Sequence, residues 1–153
     1  MSTSEANTVQ AIDNTNNVQL EDIRLLLLDA VPTDYAIKTN DFYFSDAELM
    51  DARRRAVEAF NAFPPVTIRA GLRGIPDEYT YKVGTCWQAC LSKALYFQRK
   101  QVTYQSSSNA VNMYGDAVKA MKEASDMFKA EFKELALSIK RQINMRRACG
   151  RIG

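Results

Sequence analysis

The C-terminal part of the chain carries an uninterrupted helical pattern that sets the fold class. Apolar side chains recur there at intervals of three and four residues, and no proline occurs between Asn112 and Arg147. The pattern predicts one helix of about thirty residues, roughly 45 Å long. That length exceeds the usual diameter of a small domain, so we expect its far end to project or to pack on another molecule. The stripe consists of Tyr114, Ala117, Val118, Met121, Ala124, Phe128, Phe132, Leu135, Ile139 and Ile143.

A second helix is predicted within FSDAELMDARRRAVEAFNAFPP, residues 44–65. Ser45 and Glu48 have the spacing of a capping box, in which each side chain satisfies the other residue's main-chain N–H. Pro64 and Pro65 end the helix because neither can donate a main-chain hydrogen bond. The apolar stripe that would face the core consists of Leu49, Ala52, Ala56, Val57, Phe60 and Phe63.

This second helix also carries three consecutive arginines, Arg53, Arg54 and Arg55. Successive helical residues point about 100° apart, so the three side chains fan across the polar side, with Arg53 near the edge of the apolar stripe. The triplet is therefore not a compact anion site. We expect it to cover a broad surface that faces water or a neighbouring acidic surface.

Two further helices are expected, from Gln19 to about Ala30 and from about Asp77 to Arg99. Gly84 lies inside the latter, and a close helix crossing would explain a glycine there. Residues 66–70 and 101–105 have strand-like patterns and could pair as a small hairpin. The fold class is thus all-α or nearly so: an antiparallel helical bundle. In the helix from about Asp77 to Arg99, the residues expected to be buried are Val83, Cys86, Trp87, Cys90, Leu91, Ala94 and Phe97.

Composition indicates a single domain of 153 residues. We divide it into an N-terminal arm, 1–18, flexible or ordered by a partner, a helical domain, 19–147, and a tail, 148–153. The longest aliphatic run, Leu25–Leu28, is too short for a membrane span, and the first residues do not resemble a secretory signal. We therefore expect a soluble protein without membrane partners that stays inside the cell that makes it.

Charge is divided unevenly along the chain. Residues 1–51 hold ten acidic and two basic residues, a net charge of −8, whereas residues 52–153 hold eighteen basic and eight acidic residues, a net charge of +10. Copies of such a chain can attract one another head to tail. The alternative is that solvated helix faces simply carry their charges in this order.

The chain contains no histidine and three cysteines. Histidine-dependent nucleophile systems are excluded, and the cysteines alone cannot complete a four-ligand zinc site within one chain. No pair of carboxylates stands out, so we expect neither an enzyme nor a cofactor. Cys86 and Cys90 should be buried and inert. Cys149, near the end of the chain, could form a disulfide with a neighbouring subunit.

The C-terminal end is strongly basic, and three interpretations stay open. It could contact nucleic-acid phosphates, form a solvated helix end, or dock on an acidic protein surface, and we favour docking. No helix-turn-helix, zinc-finger or RNA-binding signature is present, and the aromatic residues are not interleaved with the basic ones. The basic residues of this end are Lys140, Arg141, Arg146, Arg147 and Arg151.

Three features resemble the head–tail connector (adaptor or neck) proteins of tailed bacteriophages. They are the capped helix running into Asn-x-x-Pro-Pro at Asn61–Pro65, the helix leading through Arg99 into an extended Tyr104 segment, and the long terminal helix ending in IKRQINMRRACGRIG. The resemblance spans about Phe44 to Arg147. The acidic 43-residue N-terminal extension and the glycine-free turn QSSSN depart from the pattern.

The resemblance implies a mainly helical subunit of a virion ring, commonly twelve-fold, located between the capsid's portal protein and the tail or neck proteins. The ring would extend the channel for DNA without recognising its sequence. By analogy, Lys140, Arg141, Arg146, Arg147 and Arg151 would dock on the portal. We further expect Arg53, Arg54 and Arg55 to face an acidic surface of the adjacent subunit. The alternatives are a tail-completion or collar subunit and, from another class, a DNA-binding packaging protein.

Overall fold

A computed structural model describes residues 18–28, 43–65, 70–71, 74–103 and 110–149, with the backbone alone for 101–103 and 110–114. These residues form four α-helices, and no strand occurs among them. The bounds are α1, Leu20–Leu26; α2, Asp46–Ala62; α3, Glu78–Thr103; and α4, Ala110–Cys149. The predicted all-α fold with a long C-terminal helix is confirmed. The predicted arm and tail, apart from Val18, Ala148 and Cys149, lie outside the described residues.

The start of α2 has the predicted cap. The Ser45 hydroxyl accepts a hydrogen bond from the Glu48 main-chain N–H at 3.2 Å, and Glu48 Oε2 accepts one from the Ser45 main-chain N–H at 2.8 Å. The helix ends at Ala62, with Phe63 in an extended conformation before the two prolines. A residue preceding proline is disfavoured in the helical region, so the sequence itself fixes this end.

The predicted hairpin is wrong where it can be examined. Residues 101–103 continue α3 as helix, four residues past the predicted end at Arg99. Strand propensity is weak and depends on context, so it does not decide the state of these residues. Residues 66–69 and 104–105 of the same prediction lie outside the described residues. The first helix is also shorter than expected, because Leu27 and Leu28 form a turn, with φ of 57° at Leu28.

Helices α2, α3 and α4 pack as an antiparallel bundle. Residue numbers fall along one helix as they rise along its neighbour: Glu48 contacts Lys93 whereas Arg53 contacts Tyr81. The short helix α1 packs against α3, where the Ile23 carbonyl lies 4.0 Å from Cys86 Sγ. The core consists of Val18, Ile23, Phe44, Leu49, Ala52, Ala56, Phe60, Ile75, Tyr81, Val83, Cys86, Trp87, Ala89, Cys90, Phe128, Phe132 and Ala136.

Gly84 permits a close helix crossing, as predicted. It lies in the first third of α3, opposite the ring of Phe132 on α4 and the methyl group of Ala56 on α2. The Phe132 ring also contacts Trp87, with 5.4 Å between ring centroids. The three helices therefore approach one another closely at Gly84.

Helix α4 extends past its last buried residue. Phe132, Ala136 and Lys140 are buried, but every residue from 141 to 149 is exposed or half-exposed. At 1.5 Å per residue, these nine residues span about 13 Å. We call residues 141–149 the C-terminal overhang. The expectation that the long helix projects at its far end is confirmed.

Candidate functional site

The C-terminal overhang places three of the predicted docking residues on the surface. Arg141, Arg146 and Arg147 are all exposed, on a segment that is helical to Cys149. No acidic residue follows Glu134 in the sequence, so the overhang has a uniformly positive charge. Cations in the last turn of a helix also interact favourably with the negative end of its dipole. Arg151, the fifth predicted residue, lies outside the described residues.

The prediction that Lys140 is a docking residue is wrong, because its side chain points into the protein. Only 1% of Lys140 is exposed, and its ammonium group donates a hydrogen bond to the main-chain carbonyl of Phe63. The same group lies 4.8 Å from the centroid of the Phe60 ring. Burial lowers the pKa of this lysine below its usual value. Lys140 thus fastens the root of the overhang to the carboxyl end of α2.

The three arginines of α2 have two kinds of environment, in keeping with the predicted fan. Arg53 is half-buried, and its Nε donates to the hydroxyl of Tyr81 at 3.3 Å. Arg54 and Arg55 are exposed, and both pair with Asp51, at 2.9 Å and 2.7 Å. The hydrogen bond from Arg54, together with both positive charges, lowers the pKa of Asp51. The triplet is not a compact anion site.

A groove opens beside Arg53, between α2 and the segment that follows it. Its volume is about 490 Å³. One wall is Ala70 and Gly71, which Asn61 holds in place through two hydrogen bonds: the side-chain amide donates to the Ala70 carbonyl at 2.9 Å, and the Ala70 N–H donates to the side-chain oxygen at 2.8 Å. We call this space the arginine groove; it is lined by Met50, Arg53, Arg54, Val57, Glu58, Ala70, Gly71 and Tyr81.

The structure gives Asn61 a role that the sequence alone did not reveal. The Asn-x-x-Pro-Pro motif marks the end of α2, and its asparagine also binds the main chain of Ala70. A side-chain amide can donate and accept at once, as a main-chain peptide does. In the sequence, this role is indicated only by an asparagine three residues before the proline pair that ends the helix.

The cysteines behave as predicted within the described part of the chain. Cys86 and Cys90 are buried and Cys149 is exposed, and all three are free thiols. Burial raises the pKa of Cys90 to about 11 and that of Cys86 further still. Both buried thiols therefore stay protonated and unreactive at neutral pH. Whether Cys149 forms an intermolecular disulfide stays a prediction.

The described residues hold no cluster of three histidine, cysteine, aspartate or glutamate side chains that could bind a metal ion. Over those same ranges, no helix has the length and apolarity needed to span a membrane. Two surface features stand out in the described ranges: the positively charged overhang and the arginine groove.

Comparison of the chain with protein-family models, with curated proteins and with solved structures finds no match.

Proposed function

We propose that this protein is a head–tail connector subunit of a tailed bacteriophage, which assembles into a ring between the portal of the capsid and the tail. The observation that supports this best is the C-terminal overhang. It is a helical, positively charged segment that continues directly from the part of α4 that packs in the core.

The anchoring of the overhang favours binding to a protein surface. Phe132 and Lys140 hold α4 in the bundle, so Arg141, Arg146 and Arg147 are presented on an already ordered backbone. A pre-ordered helix loses less conformational entropy on binding than a flexible tail would. Arginine side chains bind carboxylates through two parallel hydrogen bonds. An acidic groove on the portal protein is the partner that fits this chemistry.

The charge distribution supports a ring of identical subunits. The first 51 residues have a net charge of −8 and the remainder +10. Opposite net charges in the two parts of the sequence favour contacts between unlike parts of neighbouring copies, and such contacts close into a ring when the rotation permits. A dodecamer is the order that the family resemblance implies. DNA would pass through the ring without sequence-specific contacts.

The proposal is tested by binding of the full-length protein to purified portal protein. The double variant Arg146→Glu/Arg147→Glu is expected to lose binding at least tenfold, because each pair of opposite charges becomes a repulsion. Its helical circular dichroism should not change, since both side chains are exposed. The matched control is Lys119→Glu/Lys122→Glu, two exposed lysines of the same helix. Equal binding by both double variants would contradict the proposal.

Two other candidate functions predict different results in binding experiments with the same variants. A DNA-binding packaging protein is favoured by the absence of acidic residues after Glu134. It would bind duplex DNA as the free protein, with an affinity that falls steeply with salt and is lost in the Arg146→Glu/Arg147→Glu variant. A tail-completion or collar subunit would bind purified tails rather than portals.

A further inference from the structure

Arg53 differs from the neighbouring arginines of α2 in its contacts within the described residues. Arg54 and Arg55 share Asp51, whereas no carboxylate in the described ranges lies within ion-pair distance of Arg53. Among the same residues, its guanidinium group contacts the hydroxyl and ring of Tyr81 and the sulfur of Met50. A guanidinium group binds a carboxylate through charge-assisted hydrogen bonds, so Arg53 suits a carboxylate supplied by another segment.

The arginine groove offers apolar surface next to this cation. Met50 is 54% exposed, and Val57, Ala70 and Gly71 complete the apolar lining. Glu58 is the one acidic residue of the lining and forms no ion pair with Arg53. The combination fits a peptide that places an aliphatic side chain in the groove and a carboxylate on Arg53.

The N-terminal residues 1–17 have this chemistry. They contain Glu5 and Asp13 with no lysine or arginine, and the aliphatic residues Val9 and Ile12 lie between the two acids. Seventeen residues reach at most about 60 Å when fully extended. That reach allows the segment to cross to an adjacent subunit of a ring. Residues 1–17 lie outside the described part of the structure, but Val18, which follows them, is buried.

We propose that the arginine groove binds residues 1–17 of a neighbouring copy, with Val9 or Ile12 against the apolar lining and Glu5 or Asp13 on Arg53. This inference rests on the proposed ring. It also narrows the expected inter-subunit role of the arginine triplet to Arg53, because Arg54 and Arg55 are already paired with Asp51.

The first experiment is site-specific photocrosslinking in the assembled full-length protein. Met50 is replaced by p-benzoylphenylalanine, which its exposed position tolerates, and equal amounts of ¹⁵N-labelled and unlabelled chains are assembled together. Crosslinks from position 50 to residues 1–17 should join labelled to unlabelled peptides in about half of the products. Crosslinks confined to single chains, crosslinks to another segment, or no crosslinks would each overturn the proposal.

The second experiment tests the charge on Arg53. Arg53→Gln retains a donor for Tyr81 and loses the charge, so the yield of the intermolecular crosslink should fall at least tenfold while Lys119→Glu has no effect. Arg53→Glu combined with Glu5→Arg/Asp13→Arg should restore the yield. Unchanged yield in Arg53→Gln, or no restoration, refutes the role of Arg53. The proposed connector function is tested separately, by measuring portal binding of the Arg146→Glu/Arg147→Glu variant.

Discussion

The ring of Phe132 occupies the space that a side chain at Gly84 would need. A β-carbon at position 84 would lie 2.6 Å from Cε2 of that ring, and 3.2 Å from the β-carbon of Ala56. The glycine therefore sets the distance between α3 and its two neighbours. Since Phe132 is completely buried and also contacts Trp87, it cannot move aside easily.

Gly84→Ala is expected to destabilise the protein although alanine is the better helix former. The new methyl group must displace a buried aromatic ring, and overpacking of this kind costs about 1–3 kcal/mol. The gain in helix propensity, about 1 kcal/mol, offsets only part of that. Urea denaturation followed by circular dichroism measures the difference. Gly71→Ala is the control, because a β-carbon there meets nothing within 4 Å; equal stability of the two variants would contradict the close crossing.

Lys140 predicts a specific pH dependence of stability. Burial lowers its pKa in the folded state below the ordinary value of 10.5. Between the lowered and the ordinary pKa, the unfolded chain therefore binds more protons than the folded one, so stability should rise with pH across this window. Lys140→Met removes the titrating group and keeps the aliphatic stem. The free energy of unfolding of the wild type should rise relative to this variant as the pH approaches 10.5, whereas parallel profiles would show that Lys140 is solvated.

The three thiols should differ sharply in reactivity. In the free, folded protein at neutral pH, a thiol-specific reagent such as Ellman's reagent is expected to modify one cysteine per chain, Cys149, because it is exposed. Cys86 and Cys90 should react only after denaturation, since burial keeps both protonated. A Cys149→Ser variant serves as control and should give no rapid reaction. Rapid reaction of two or three thiols would show that the α3 core is open.

Arg24 should contribute more to stability than the exposed arginines do. It is 5% exposed, donates to the Phe44 carbonyl at 2.7 Å and pairs with Asp46 at 2.6 Å, joining α1 to the start of α2. Arg24→Met leaves the buried carbonyl without this donor, and we expect a loss of about 1.5–3 kcal/mol in urea denaturation. Arg54→Met, on the exposed ion pair with Asp51, should leave the unfolding midpoint unchanged. Equal midpoints for both variants would contradict the role of Arg24.

Local signals predicted the helices well. The Ser45–Glu48 capping box and the proline pair depend on residues adjacent in sequence, so α2 could be located closely. The glycine of α3 likewise predicted the close crossing. Of the predicted α4 stripe, Phe128 and Phe132 are buried, whereas its other members with described side chains are half-exposed. The end of α3 differs from the prediction because residues 101–103 have strand-like composition, and strand propensity depends strongly on context.

The site was harder to predict because it depends on contacts between distant residues. Lys140 was grouped with the basic end, although it follows Phe132 and Ala136 at intervals of four residues and so continues their buried face. The spacing of four residues indicates a buried position for Lys140, whereas the charge of its side chain suggests an exposed one. The contact between Arg53 and Tyr81 could not be predicted, since the two residues lie 28 positions apart in the sequence.

The continuity of α4 has a mechanical consequence. One unbroken helix runs from the Phe132–Gly84 crossing to Cys149. A force applied at the C-terminal end of this helix is therefore transmitted along it, as along a lever that pivots near Lys140. A partner that bends this end sideways would exert torque on the aromatic packing between α3 and α4, where the helices are in close contact at Gly84. Strain from an attached assembly would in this way reach the centre of the subunit without any loop having to move.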